Sequence, residues 1–262
     1  SQAVSSVLLD KGMRYLIIGS GGMGIYAYLG YIKTIEDKLD RVEEFSGASC
    51  GSILAVMLSL GFTPDEILEK IIKIDYKILS KVNVRSLFKN YGFISHEPIK
   101  IVLKQILECD PTFSELKRDV HIPAFCLNLN RTEYFSKESH PTMSVIDAIC
   151  MSISVPVLFS AYQYNDMLYV DGATQEKYPF APFLNKDPKD VLRLDVICDT
   201  ESNQPISNMV DFTKAMITTF MTNRIDPEIN FNCIRIPIGN VNIYDFNISY
   251  DDAMKLYLKG ML

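Results

Sequence analysis

The sequence has no excess of basic residues. It carries a net charge of −6 with a pI near 5.2, and its lysines and arginines are scattered among acidic residues. This pattern lacks the basic footprint of a nucleic-acid-binding protein, so we expect no nucleic-acid partner. The six cysteines show no CxxC or Cys/His spacing, so we expect no metal site. Most of them lie inside apolar runs and are expected to be reduced core thiols of a cytoplasmic protein.

Long apolar runs are also absent. The longest, around Ile53 to Leu60, is far too short to span a bilayer, and the first residues lack a secretory signal, so a soluble protein is expected. No internal repeat, low-complexity tract or linker divides the chain, and 48% hydrophobic residues suffice for one full core. We therefore predict an N-terminal extension over residues 1–12 and a single domain over residues 13–262.

Apolar runs alternate with helical patterns along the chain. The predicted strands are Tyr15 to Ile18, Glu44 to Gly47, Ile122 to Leu129, Leu168 to Val170, Leu192 to Cys198 and Cys233 to Pro237. The predicted helices cover residues 24–38, 50–60, 64–74, 96–108, 144–151, 206–223 and 249–259, with Ser207 and Ser249 as capping candidates. This alternation indicates a three-layer α/β fold, in which helices flank a mostly parallel central sheet. Active residues of such folds lie at the carboxyl ends of strands.

A GxSxG motif, Gly47-Ala48-Ser49-Cys50-Gly51, follows the second predicted strand and precedes an apolar helix. In that context the motif is typical of a nucleophile elbow, a sharp strand-to-helix turn that exposes a serine hydroxyl. The small residues Gly47 and Gly51 allow the turn to close. Ser49 is therefore the predicted nucleophile of a serine hydrolase, the alternative being a packed serine in a tight turn.

A serine nucleophile needs a base, and histidines are scarce. The three in the chain are His96, His121 and His140. The usual α/β-hydrolase order puts the catalytic histidine last, after the acid, and these three fit a helix start, a strand start and a polar loop. Asp171 follows an apolar strand and precedes Gly172-Ala173. Its position fits a general base at a strand end and equally a simple Asp-Gly turn.

The first glycine-rich turn, Gly19 to Gly24, allows two interpretations. Its spacing fits the GxGxxG of dinucleotide-binding proteins, with Glu43 and Glu44 about twenty residues later. These acids lie at the start of the second strand, however, which is the wrong end to reach a ribose. The other interpretation is an oxyanion hole, in which backbone amides and the positive end of the following helix stabilise negative charge. The expected donors are the amides of Gly21, Gly22, Met23, Gly24 and Cys50.

Together these motifs resemble the patatin-like phospholipases. That family combines a glycine-rich oxyanion loop, a GxSxG nucleophile and a later Asp-Gly-Gly or Asp-Gly-Ala that carries the base, and this chain has all three in the same order. Residues 30–36 resemble the family's helix after the oxyanion loop, and residues 148–156 resemble its segment before the base. The tail from Tyr244 to Gly260 resembles its closing helix, so the resemblance extends from Met13 to the C-terminus.

The resemblance implies a patatin-like fold and a lipid acyl hydrolase of phospholipase A type. It assigns Ser49 as nucleophile and Asp171, supported by Gly172, as general base, with an acyl-enzyme that water hydrolyses. It implies no cofactor and no metal, so calcium should be dispensable for the chemical step. The expected partner is a phospholipid or another acyl lipid, met by transient contact at a membrane surface, and the sequence does not fix the oligomeric state.

One position departs from the family pattern GGGxRG. The family's third glycine and basic residue fall on Ser20 or on Gly24 and Ile25, depending on the alignment, so the basic residue is missing. Without that cation, the loop must rely on backbone donors and the helix dipole. This departure favours the alternative of a catalytically weak binding or structural module.

The segment between the elbow helix and residue 120 interleaves apolar and basic groups. Its apolar members are Leu87-Phe88 and Tyr91 to Ile94, and its basic members are Lys81, Arg85, Lys89 and Lys100. Such a stretch fits a lid or lipid-contact surface, and it equally fits a core helix with one solvated face. Farther along, Arg131 and Thr132 are predicted to lie in a turn that joins two strands.

Overall fold

The computed structural model describes residues 12–80, 83–176, 178–199, 205–222 and 229–262. The described α-helices are α1 Ile25–Thr34, α2 Cys50–Ser59, α3 Pro64–Ile71, α4 Val84–Asn90, α5 Glu97–Leu107, α6 Val145–Ser152, α7 Met209–Thr222 and α8 Tyr250–Met261. The described strands are β1 Tyr15–Ile18, β2 Glu44–Gly47, β3 Gly92–Ile94, β4 Asp119–Cys126, β5 Arg131–Phe135, β6 Val157–Phe159, β7 Tyr162–Tyr164, β8 Met167–Asp171, β9 Val191–Cys198 and β10 Asn232–Gly239. The predicted extension over residues 1–12 lies almost wholly outside the described residues.

The main sheet has the strand order β10-β9-β1-β2-β4-β8-β7, with β5 also paired to β4. Strands β10, β9, β1, β2 and β4 run parallel, whereas β8, β7 and β5 are antiparallel to their neighbours. A separate parallel pair joins β3 to β6. The predicted α/β architecture with a central sheet between helices is confirmed, and an antiparallel flank is added to its parallel part.

The second half of the sheet differs from the sequence prediction. The strand predicted at Ile122 to Leu129 covers Asp119–Cys126, and Arg131 and Thr132 begin β5 instead of lying in the turn. The turn occupies residues 127–130, where Asn130 adopts a φ of 51°. Asparagine tolerates this left-handed conformation better than most residues, and the strand ends at Cys126, three residues earlier than predicted.

Helix boundaries follow the capping groups. The helix predicted over 206–223 begins at Met209, because the Asn208 side chain accepts a hydrogen bond from the Asp211 amide at 3.0 Å and Ser207 does not cap it. Ser249 caps α8 as predicted, accepting from the Asp252 amide at 3.1 Å. The helix predicted over 24–38 ends earlier, at Thr34, and a 3-10 segment follows over Glu36–Arg41.

Helices α1 and α8 cross in close contact on one face of the sheet. A Cβ at Gly30 would lie 1.9 Å from the Tyr257 carbonyl oxygen, and one at Gly260 would lie 1.9 Å from that of Ala27. The two backbones can approach this closely only because both positions are glycine. The crossing fixes α1, the helix that leads out of the first glycine turn.

The cysteines are only partly core residues. Cys50, Cys126 and Cys150 are buried as predicted, but Cys109 is exposed, and Cys198 and Cys233 are half-buried, which corrects the prediction for these three. Cys109 is exposed because it follows the end of α5, in a polar connection. Within the described part of the chain, no group of three or more His, Cys, Asp or Glu side chains is arranged to hold a metal ion.

No helix among the described residues has both the length and the apolar character needed to cross a lipid bilayer.

Candidate active site

Ser49 lies at a sharp turn between β2 and α2, with φ 53° and ψ −124°. Two close backbone contacts build this turn. A Cβ at Gly47 would lie 2.4 Å from the Gly51 carbonyl oxygen, and one at Gly51 would lie 2.3 Å from that of Ile18. The Ser52 hydroxyl donates to the Ser49 carbonyl oxygen at 2.6 Å and ties the turn to the helix. This is the geometry of a nucleophile elbow, with the serine at its apex.

Asp171 ends β8, and the strand register places it near the elbow. Glu44 of β2 pairs with Asp119, which sets Gly47 level with Ile122, and Asp171 pairs with Ala124. Asp171 therefore lies about two residues beyond the end of β2, at the level where the chain continues to Ser49. β8 runs antiparallel to β4, so its carboxyl end points away from the sheet edge at which the elbow lies. Asp171 still lies near the elbow, because β4 extends beyond β2 and β8 pairs with the last residues of β4.

One short segment at the end of α6 contacts both residues. The Ser49 amide donates to the Ser152 hydroxyl at 3.0 Å, and the Asp171 amide donates to the Ser154 carbonyl oxygen at 2.8 Å. The Asp171 Oδ1 atom accepts the Ala173 amide at 2.8 Å, and the whole residue is buried. The structure thus brings the two predicted residues to one place through Ser152 and Ser154. Sequence reasoning singled out this segment only as a likeness and assigned no role to its serines.

His96 supports the same segment. Its Nε2 atom lies 2.7 Å from the Ser154 hydroxyl, which itself donates to the Cys150 carbonyl oxygen at 2.6 Å. The hydroxyl has one proton, so the histidine ring must donate and Nε2 carries the hydrogen. Burial, aided by Lys100, lowers the pKa of His96 to about 4. His96 is therefore a neutral donor in the core, although it starts a helix as predicted.

The other histidines lie away from the elbow. His121, the third residue of β4, pairs with Glu44 at 2.8 Å at the start of β2, and this hydrogen bond lowers the pKa of the Glu44 carboxyl. His140 lies in the loop after β5 and contacts the Ser139 hydroxyl at 2.9 Å. Glu43 pairs with Arg14 at 2.8 Å. Glu43 and Glu44 are thus at the opposite end of β2 from the glycine turns, which disfavours the dinucleotide interpretation.

Two of the predicted donor amides in the first glycine turn are bonded within the structure. The Gly24 amide donates to the Gly21 carbonyl oxygen at 2.8 Å, and the Met23 amide donates to that of Ile243, also at 2.8 Å. Both amides are therefore occupied in this conformation. The amides of Gly21 and Gly22 interact instead with the Cys50 sulfur, a weak acceptor that a developing oxyanion can displace, and burial and the nearby Asp171 carboxylate raise the pKa of this thiol. With the Cys50 amide, these two remain the candidate oxyanion donors.

A cavity of about 110 Å³ opens beside Ser49. Its walls are almost wholly aliphatic and aromatic, with contributions from helices α2, α3 and α5. The lining residues include Ile53, Ile71, Ile99, Val102, Leu103, Ile106, Val155, Phe159, Tyr244 and Phe246. Such a lining accepts a hydrocarbon chain and gives a charged ligand no partner.

The sequence model of the family described as "Patatin-like phospholipase" matches residues 16–184, which hold the glycine turn, the elbow and Asp171. The chain belongs to the patatin-like phospholipase family. An uncharacterised protein of Acanthamoeba polyphaga mimivirus is 31% identical over 185 residues, covering 66% of this chain and 62% of the viral protein. A probable lipid hydrolase of Invertebrate iridescent virus 6 is 27% identical, covering 66% and 63%.

Solved structures share this patatin-like fold. VipD from Legionella pneumophila superposes with a TM-score of 0.60 at 16% identity, covering 95% of this chain and 65% of VipD. The type III effector ExoU of Pseudomonas aeruginosa gives a TM-score of 0.53 at 13% identity, covering 95% and 51%. The chain thus spans less than two thirds of the length of each of these relatives.

A strap, residues 240–248, covers the cavity of this patatin-like chain between β10 and α8. Its Ile243 carbonyl oxygen accepts the Met23 amide and would lie 2.3 Å from a Cβ at Gly22, so this position with φ 51° requires glycine. Tyr244 and Phe246 line the cavity, and Phe246 stacks edge-on against Phe159 with ring centroids 5.8 Å apart. The sequence prediction took part of the strap only as the start of the closing tail.

The segment predicted as either a lid or a core helix, between the elbow helix and residue 120, has both an exposed and a buried part. Phe88 on α4 is 80% exposed and Tyr91 is 59% exposed, with Arg85 and Lys89 exposed beside them. Leu87 is half-buried, and Ile94 of β3 is buried against β6. Lys100 pairs with Asp147 at 3.3 Å, and Lys81 lies outside the described residues. The segment therefore exposes apolar and basic side chains on one side and packs against the domain on the other.

Proposed function

We propose that this patatin-like chain is a lipid acyl hydrolase of phospholipase A type, which cleaves fatty-acyl esters of membrane phospholipids through a Ser49–Asp171 dyad. One observation carries the proposal: the amides of Ser49 and Asp171 bond to the two ends of the segment 152–154, directly beside an apolar cavity. A nucleophile elbow, a buried carboxylate and a hydrocarbon pocket meet at one place. Each supplies a part that ester hydrolysis of a lipid requires.

The reaction follows as two acyl transfers. Asp171 accepts the proton of Ser49 as its oxygen attacks the ester carbonyl, and the negative charge on the carbonyl oxygen is stabilised by the amides of Gly21, Gly22 and Cys50. Collapse of the intermediate expels the alcohol part of the lipid, which takes the proton back. Water then attacks the acyl-enzyme with Asp171 again as base, and releases the fatty acid and free Ser49.

The substrate class follows from the cavity and the family. The apolar walls of the cavity suit the hydrocarbon part of an acyl chain and leave the polar part of a lipid outside. A relative that is 27% identical is named a probable lipid hydrolase. The exposed aromatic and basic face on α4 supports transient contact with a membrane surface.

The nucleophile is tested with Ser49→Ala. We expect the variant to lose hydrolysis of a phospholipid and of a soluble short-chain ester, and to lose labelling by a fluorophosphonate, because no other oxygen occupies the apex of the elbow. Ser59→Ala, at the far end of the same helix, is the matched control and should still be labelled, because its hydroxyl bonds to the Arg118 carbonyl oxygen and not to the elbow. If purified Ser49→Ala keeps its activity, the nucleophile assignment is wrong. If the wild type is neither labelled nor active, the chain is instead the binding module that the missing cation favours.

The base is tested with two variants compared side by side. Asp171→Asn should lose most of the roughly 10²–10⁴-fold that a general base contributes. Replacing His96, His121 and His140 together by Gln should keep turnover within roughly tenfold, since Gln at position 96 retains an amide that can donate to Ser154. A folded but inactive triple variant beside an active Asp171→Asn would restore a histidine as the base.

A further inference from the structure

The Tyr28 hydroxyl contacts the first glycine turn from helix α1. It donates to the Ser20 carbonyl oxygen at 2.8 Å and accepts the Val196 amide of β9 at 3.2 Å. The residue is fully buried, and a Cβ at Gly19 would lie 2.9 Å from its hydroxyl oxygen. Tyr28 therefore holds the turn between the sheet and its own helix, with both hydrogen-bonding functions of the hydroxyl in use.

The bond to Ser20 has a consequence for the next amide. A trans peptide unit is planar, so the carbonyl of Ser20 and the N–H of Gly21 point in opposite directions. Fixing the carbonyl towards Tyr28 fixes the Gly21 N–H on the other side. That side faces the elbow, which lies against the turn: a Cβ at Gly51 would be 2.6 Å from the Gly19 carbonyl oxygen, and the Gly21 amide interacts with the thiol of Cys50, the residue after Ser49.

The rest of the turn is held elsewhere. The Met23 amide is held by Ile243, and the Gly24 amide closes a bond to the Gly21 carbonyl oxygen. A Cβ at Gly21 would lie 2.5 Å from a Val196 methyl group, so position 21 requires glycine and contributes no side chain that could hold the peptide. Among the described residues, the Tyr28 hydroxyl holds the carbonyl end of the 20–21 peptide, and its N–H end faces Cys50.

We propose that Tyr28 is the positioning residue of the oxyanion hole, orienting the Gly21 amide through the Ser20 carbonyl. It takes the place of the basic residue that the family pattern has in this loop and this chain lacks. The proposal rests on the proposed function, since it assigns a role within the same site. Tyr28 touches no reacting atom, so it acts only through the peptide that it holds.

The test is Tyr28→Phe, which removes one oxygen and keeps the buried ring. Tyr26→Phe is the matched control: Tyr26 lies on the same helix, is equally buried, and donates to the Ile71 carbonyl oxygen at 3.0 Å, far from the glycine turn in sequence. Kinetics use a soluble short-chain ester, which does not depend on the acyl cavity, and are run well below both melting temperatures. Both variants should show similar falls in Tm.

Only Tyr28→Phe should lose turnover. We expect kcat to fall about 10–100-fold with KM nearly unchanged, less than the roughly 10²–10³-fold cost of losing a donor outright. Affinity for a trifluoromethyl ketone, which forms the tetrahedral adduct, should fall in parallel, whereas affinity for an uncleavable ether analogue should not. These differences separate a positioning role from a merely structural one.

Two results would overturn the inference: Tyr28→Phe turning over like the wild type, or both tyrosine variants losing kcat equally. Ser49→Ala in the same assay keeps the proposals distinct. An active Ser49→Ala refutes the proposed function itself, whereas an inactive Ser49→Ala beside a fully active Tyr28→Phe refutes only the role of Tyr28.

Discussion

Ser49 has a backbone conformation that a serine adopts only under constraint. Its φ of 53° with ψ −124° is a region that favours glycine, and such a residue costs on the order of 1–3 kcal/mol. The contacts of Gly47 and Gly51 hold it there. Strained backbone conformations are common at functional sites. Here the position of the Ser49 hydroxyl lowers the free energy of unfolding.

This strain predicts an unusual order of stability. The free energy of unfolding of Ser49→Gly should be about 1 kcal/mol higher than that of Ser49→Ala, because glycine relieves the strain and alanine retains it. Ser52, which lies inside helix α2, provides the control pair, and there Gly should be the less stable variant by about 1 kcal/mol. Urea denaturation of the four variants measures both differences. The same sign at both positions would contradict a strained Ser49.

His96 predicts how stability depends on acid. Its pKa is about 4 in the folded chain against 6.5 for an unperturbed ring, so the unfolded state binds more protons between these values. The free energy of unfolding should therefore fall as pH drops from 6.5 towards 4, by up to about 3 kcal/mol from this residue. The contribution is fully present above pH 6.5. Chemical denaturation of His96→Gln should show a shallower fall across this window, and equal slopes in the two proteins would contradict the assignment.

At the scale of elements, helix α5 has one face towards the cavity and one towards solvent, and both carry a β-branched apolar residue. Val102 lines the cavity, whereas its neighbour Ile101 is 59% exposed. Val102→Trp should fill the cavity and lower kcat/KM for a long-chain ester by at least about tenfold, while hydrolysis of an acetyl ester stays unchanged. Ile101→Trp is the control and should alter neither. Loss of acetyl hydrolysis as well would indicate a damaged elbow and not a blocked acyl pocket.

Most elements could be predicted because their signals are local. Apolar runs and capping groups identified β1 and β2 to the residue and placed α8 correctly. Strands β3, β6 and β7 were missed because each has only three residues and forms by pairing with distant partners. The antiparallel direction of β8 was also not predicted, since strand direction depends on pairing across the sheet.

The candidate site also contains residues that the sequence predicted and residues that it did not. Motifs carried by consecutive residues, the elbow and the Asp-Gly turn, pointed to Ser49 and Asp171. Contacts across the chain gave no sequence signal: the Ile243 carbonyl occupies the Met23 amide from 220 positions away, and Ser152 reaches the Ser49 amide from 103 positions away. Support residues of this kind become visible only when the elements are assembled.

At the scale of the whole molecule, overall charge and local surface act in opposite directions. The chain carries a net charge of −6, which repels an anionic membrane. On α4, however, the exposed Arg85 and Lys89 flank Phe88, a face suited to anionic headgroups and to the interface below them. The range of the repulsion depends on salt, because the Debye length is about 30 Å at 0.01 M and about 8 Å at 0.15 M.

Binding to anionic vesicles should therefore strengthen when salt rises from 0.01 to 0.15 M, the opposite of a uniformly basic protein. Salt at this level screens charges far from the membrane, while Arg85 and Lys89 act at contact distance. Sedimentation with vesicles of phosphatidylserine and phosphatidylcholine measures the partition. Phe88→Ser should weaken binding at both salt levels, whereas Leu258→Ser, which also replaces an exposed apolar side chain but on α8, should not. Binding that falls steadily with salt, or that ignores Phe88, would show that the α4 face does not contact the bilayer.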